Sequence, residues 1–163
     1  MQEEAVTTDF FTYLYQKPLY ITPEPVSLHL INLENNSVAS PKLLLLLKNA
    51  FNQDISDSDF ELLKKMADWM RIEKKEVAVC LVKEEQFSFP ELRTKHAIEN
   101  MICYGVTPAA IGLNIEYHIN KPVRFMNCRM IFTAPFAEVQ KNSVIKTQFF
   151  SEAGKLFNPA IKK

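Results

Sequence analysis

Hydrophobic positions in this chain fall into short runs separated by polar, turn-forming stretches. Four runs read as strands: VSLHLINL (26–33), EVAVCLV (76–82), IENMICYG closing at Gly105, and CRMIFTAP (128–135). None alternates strictly between apolar and polar, which is the pattern of strands covered on both faces. The stretches between them carry helical spacing. Ser56 and Asp59 make a capping-box-like start, after which Phe60, Leu63, Ala67 and Met70 share one face and Lys64, Lys65 and Asp68 the other. PELRTKHA is helical from Pro90, and a last helix N-capped by Asn142 aligns Ile145, Phe149, Ala153 and Leu156. Between the first two strands, after the polar loop ENNSVASP, Ser40 as N-cap and Pro41 at the first helical position predict a helix through LLLLLKNAFN, with leucine all round its surface. NIEYHINKPVRF reads as a loop with an extended arm, and FAEVQKN as a loop. Strands separated by helices give an α/β chain: a three-layer α/β/α sandwich around a mostly parallel four-stranded sheet.

Residues 1–25 stand apart. DFFTYLYQKPLYITPEP concentrates Phe10, Phe11, Tyr13, Leu14, Tyr15 and Tyr20 and then meets Pro23 and Pro25, which cannot continue a helix. The division is an N-terminal aromatic arm, 1–25, and a single α/β domain, 26–163. A terminal segment so rich in rings either packs back on its own domain or buries them in a partner. In the second case Phe10, Phe11, Tyr13, Leu14 and Tyr15 are the partner-binding residues.

Composition places the chain among soluble globular domains: 163 residues, 47% hydrophobic and 23% charged. The beginning, MQEEAVTTDF, is acidic where an export signal is basic, and the longest apolar run is Leu43 to Leu47, far short of a membrane span. Cys80, Cys103 and Cys128 lie inside apolar runs without ligand spacing, so they read as reduced core thiols of a cytoplasmic protein. The net charge is zero but unevenly spread: residues 1–62 hold 3 Lys/Arg against 9 Asp/Glu, and residues 114–163 hold 8 against 3. The basic C-terminal part makes Lys121, Arg124, Arg129, Lys141 and Lys146 candidate phosphate contacts for nucleic acid.

Catalytic or cofactor chemistry finds little footing. Only Gly105, Gly112 and Gly154 are present, and no Gly-rich phosphate loop can be built from them. There is no nucleophile elbow, and His29, His96 and His118 each read as structural or exposed. Glu84, Glu85, Glu91 and Glu99 could form an acid pair only by convergence in space. No cofactor, metal site or catalytic residue is therefore predicted. Met66, Met70, Met101, Met126 and Met130 fall on predicted apolar faces, and Trp69 is either a second-face core anchor or a partner hot spot. ICYGVTPAAIGL (102–113) reads as a strand-to-helix corner in which Gly105 relieves the backbone and Thr107 caps.

From residue 99 on, ENMICYGVTPAAIGL, an extended arm and then CRMIFTAPFAEVQKNSVIKTQFFSEAGKLF resemble the C-terminal part of the uracil-DNA glycosylase superfamily over about 60 residues. Active members carry a water-activating Gly-Gln-Asp-Pro-Tyr type of motif after the first strand and a His-Pro-Ser loop after the last. The corresponding places here read ENNSVASP and FAEVQKN, without the catalytic Asp or His. In layout the whole chain is similar to a non-catalytic family with this kind of fold, the psi subunit of bacterial DNA polymerase III, whose aromatic N-terminal arm docks on the clamp loader. The resemblance implies a protein-interaction subunit of a DNA replication assembly, not an enzyme, with a clamp-loader or other replication subunit as its partner and no membrane role. The alternatives are a DNA-binding or DNA-processing member of the superfamily and an unrelated small α/β enzyme.

Overall fold

The structure, a computed structural model, describes residues 30–34, 41–48, 54–82 and 88–157. The aromatic arm, His29, Ser40, Glu84 and Glu85 lie outside the described residues. The chain is α/β, with a six-stranded mixed sheet. Its strands are β1 (Leu30–Asn32), β2 (Leu43–Lys48), β3 (Val77–Val82), β4 (Asn100–Tyr104), β5 (Pro122–Phe125) and β6 (Cys128–Thr133). The described α-helices are α1 (Asp57–Met70), α2 (Phe89–Lys95), α3 (Phe136–Lys141) and α4 (Ser143–Phe157). The strand order is β1-β3-β2-β4-β6-β5. β2 pairs in parallel with both β3 and β4, and β4 with β6, while β1 and β5 close the two edges antiparallel.

The predicted helix after Ser40 is overturned. Leu43–Lys48 is β2, which has a hydrogen-bonded neighbour on each side, and all five of its leucines are buried, Leu47 at 7% exposure and the other four at 0%. A helix of this length has a side facing away from any one sheet, whereas a central strand buries both of its faces. The four-stranded sheet is corrected with it: β2 and β5 bring the count to six, and the run that begins at Val26 contributes an edge strand. β5 occupies the end of the predicted loop-and-arm stretch. FAEVQK, read as a loop, is the short helix α3.

Because side chains alternate along a strand, the register sorts the apolar residues into two cores. On one face Leu43, Leu45, Leu47, Val79, Ile102, Tyr104 and Ile131 pack under α1, α3 and α4. On the other, Leu44, Leu46, Cys80, Met101, Cys103, Met130 and Phe132 pack under α2 and the segment around Ile111 and Leu113. β2–α1–β3 crosses over the first face and β3–α2–β4 over the second, moving in opposite directions along the sheet, so both connections have the same hand.

The helix starts follow their caps. The Ser56 hydroxyl accepts from the Asp59 amide at 3.2 Å, and the Asn142 Oδ1 accepts from the amides of Val144 and Ile145 at 3.0 and 3.3 Å. Leu63, Ala67, Met70, Phe149 and Ala153 are buried as the helical spacing predicts, and Phe60, Ile145 and Leu156 pack half-buried against the same core. Trp69 is the second-face anchor of the two readings offered. Its ring meets Phe150 edge-on at 4.9 Å and joins α1 to α4.

Met66, Met70, Met101 and Met130 are core residues, but Met126 is not: it is 59% exposed at the tip of the β5–β6 hairpin. The two-residue turn is Met126–Asn127, with φ of 46° and 63°, the left-handed pair that matches strand twist. Asparagine tolerates that region, whereas methionine pays the Cβ clash of about 1–2 kcal/mol. Met126→Asn is therefore expected to stabilise the fold by about 0.5–1 kcal/mol, read as a higher urea midpoint at unchanged slope.

Candidate functional site

In an open parallel sheet, ligands bind beyond the strand C-termini where the connections diverge. Here that place lies between β2, whose connection runs to β3, and β4, which is reached from β3 on the other side. β4 ends at Tyr104, and the chain turns at Gly105 with φ +69°. The Gly105 amide donates to the Thr133 carbonyl at 3.0 Å, tying the corner to the end of β6. A Cβ on Gly105 would sit 3.1 Å from Pro135 Cγ, 3.3 Å from Pro135 Cα and 3.4 Å from Lys48 Cβ. The corner is thus filled by the ends of β2 and β6. ICYGVTPAAIGL continues as predicted: the Thr107 hydroxyl accepts from the Ala110 amide at 3.3 Å, and one 3-10 turn, Ala109–Ile111, ends at Gly112 with φ +72°. Gly105→Ala adds a Cβ to a positive-φ residue in a tight contact, and is expected to cost about 1–2 kcal/mol of stability by urea titration.

The face beneath this rim is aromatic and apolar. Tyr104 is fully buried, donates its hydroxyl to the Met66 sulfur at 2.9 Å, and meets Phe136 and Phe149 at ring distances of 5.2 and 5.6 Å. Burial pushes its hydroxyl pKa far above the ordinary tyrosine range. The Thr133 hydroxyl is buried in the same strand-end layer and has no hydrogen-bond partner among the described residues.

The described candidate groups, Glu91, Glu99, His96 and His118, do not converge at the rim. Glu99 immediately precedes β4 and so lies at the opposite end of the sheet, while Glu91 is exposed in the first turn of α2. His96 caps α2, its amide bonded to the Leu92 carbonyl at 2.9 Å, and His118 is exposed in the segment before β5. The three thiols are buried in the second core. Burial pushes Cys80 up to about 12 and Cys128 up to about 11, and raises Cys103 well above its usual range, so none is a ready nucleophile. Among the described residues no His/Cys/Asp/Glu group has metal-binding geometry. None of their helices is long and apolar enough to cross a membrane.

After β2 the described chain resumes at Asp54 and enters α1 at Asp57. Asp54 is exposed, at the entrance to α1.

The five basic candidates separate into two groups. Lys121, Arg124 and Arg129 gather where β5 and β6 meet the C-terminal half of α4. The Lys121 ammonium reaches Glu152 Oε1 at 3.2 Å, the Arg129 guanidinium donates to the Leu156 carbonyl at 3.3 Å and lies 5.9 Å from the Phe157 ring, and Arg124 stands directly across from Arg129. Lys141 ends α3 and Lys146 is in the first turn of α4, where its ammonium reaches Gln140 at 3.5 Å. No family model matches the chain, and no curated protein matches it.

Proposed function

We propose that the chain is a non-catalytic protein-interaction subunit of a bacterial DNA replication assembly, a cytoplasmic counterpart of the psi subunit of the polymerase III clamp loader. Its body is a uracil-DNA-glycosylase-like three-layer sandwich, and Phe10, Phe11, Tyr13, Leu14 and Tyr15 of the arm are its docking residues. The observation that carries this reading is the filled corner. At the address where such a sheet holds a ligand, Gly105 is packed against Pro135 and Lys48. The order β3-β2-β4-β6 with parallel neighbours supports the sandwich, and the buried, high-pKa thiols support the absence of nucleophilic chemistry.

The test is a calorimetric titration of the full chain into the clamp-loader complex of its own source. Phe10→Ala and Phe11→Ala are each expected to weaken binding by roughly 30-fold, the loss of about 2 kcal/mol typical of an aromatic anchor. Unchanged affinity in both variants, or no binding by the parent chain, would overturn the proposal.

The exposed carboxylate of Asp54, between β2 and α1, favours a second reading, a DNA-processing member of the superfamily in which this carboxylate orients water. The matching assay is release of uracil from single-stranded DNA. Release by the parent chain that Asp54→Asn abolishes would establish it, and its absence from the parent chain would dismiss it.

A further inference from the structure

The cations around the C-terminal half of α4 form one surface, and they are more closely gathered than the chain's zero net charge would suggest. Lys121 and Lys155 share a single carboxylate oxygen, Glu152 Oε1, at 3.2 and 2.8 Å. That carboxyl is held below its ordinary range, first by the hydrogen bond from Lys155 and then by Lys121. Arg129, on β6, reaches the helix one residue beyond Lys155, its guanidinium donating to the Leu156 carbonyl. Arg124 is its partner in the β5–β6 register and therefore projects from the same face of the sheet. Four cations and one acid leave a local charge of +3.

Two details resist a purely structural account. Directly opposed like charges on neighbouring strands destabilise a sheet, yet Arg124 and Arg129 occupy such a pair. Arg129 has a structural duty at the helix C-terminus, where a cation is favourable, but Arg124 has none of that kind: it is exposed, and among the described residues its guanidinium reaches only Asn127 Oδ1, at 3.4 Å. Glu152 is too few charges to neutralise the group. The face is thus prepared for an anion carrying several charges at once.

We propose that this face, Lys121, Arg124, Arg129 and Lys155, binds the phosphodiester backbone of a single nucleic-acid strand. Guanidinium and ammonium groups side by side suit successive phosphates, and Phe157, half-buried next to Arg129, offers a ring at the border of the face on which a base can stack. Lys141 and Lys146 belong elsewhere. Lys146 is nine residues before Lys155 on the same helix, about 13 Å away along its axis. The inference stands on this face's own geometry and is independent of whether the arm docks a partner.

The experiment is binding of the full chain to a fluorescein-labelled oligothymidylate across salt. With about four phosphate contacts on a single strand, affinity is expected to fall about 50-fold between about 50 and 200 mM monovalent salt. Arg124→Gln and Lys155→Gln should each remove one contact and lower that fall to about 20-fold. Lys141→Gln and Lys146→Gln should leave it unchanged. Glu152→Gln, which removes the acid that pairs with Lys121 and Lys155, should tighten binding, an effect that a merely structural Glu152 would not produce. The proposal is overturned if the oligonucleotide does not bind at about 50 mM salt, or if the Lys141 and Lys146 variants lose as much as those of Arg124 and Lys155. It is equally overturned if a duplex or polyglutamate binds more tightly than the single strand. Circular dichroism of each variant separates loss of binding from loss of fold.

Discussion

Leu45→Asp is expected to leave no cooperative unfolding transition at all, and Leu45→Ala to keep one that is weaker by about 2–5 kcal/mol. Leu45 is completely buried at the middle of β2, flanked in register by Val79 on β3 and Ile102 on β4. An aspartate there would be an unpaired charge with apolar neighbours on both sides, a penalty of several kcal/mol in a fold whose whole stability is about 5–15 kcal/mol. The alanine variant forfeits the transfer energy of the side chain and leaves a cavity that a sheet hydrogen-bonded on both sides cannot close. Urea titration followed by far-UV circular dichroism checks both, and the alanine variant should shift the midpoint without altering the slope. Leu46→Ala, which opens the other core, should cost a similar amount. A helix lying on one face of a sheet would not give two adjacent leucines equal weight.

Phe149→Ala has the second large effect, an expected loss of about 3–5 kcal/mol. Phe149 is fully buried and lies 5.6 Å from Tyr104 and 5.2 Å from Phe150, ring to ring, and Phe150 in turn meets Trp69 at 4.9 Å. The chain of rings runs from the end of β4 through α4 to α1, so its removal loosens the layer directly beneath the filled corner. Phe149→Leu retains most of the volume and should recover roughly half of the loss. The Trp69 emission offers a local readout. A red shift in Phe149→Ala that precedes the global transition would show that α4 lifts from α1 before the sheet melts.

Much of this arrangement is written locally in the residues. The starts of α1 and α4 were legible because Ser56 and Asn142 offer side-chain acceptors to amides that have no other partner, and the apolar residues behind them recur at helical spacing. β3, β4 and β6 were legible as apolar runs closed by turns. β2 was not, because a block of leucine has no period: every position is apolar, and the Ser-Pro in front of it imitates a helix start. What decides between the two is the number of neighbours, and those, Val77–Val82 and Asn100–Tyr104, come from later in the chain. The same non-local information places Asp54 between β2 and α1. β5 escaped because four residues with Pro122 and Arg124 on one face carry the marks of a blunted edge, not of a buried run. Met126 was misjudged for a related reason, as an apolar residue held at a hairpin tip by the two strands it joins. The pairing of Arg124 with Arg129 is likewise invisible until the hairpin register is known.

Hydrogen exchange of the full chain, alone and with the clamp-loader complex, tests the central claim most directly: that the arm grips a partner while the filled rim of the sheet stays idle. New protection is expected only in residues 1–25, with peptides covering Tyr104–Val106 and Ala134–Phe136 exchanging as in the free chain. Protection at those rim peptides with the arm unchanged would contradict it.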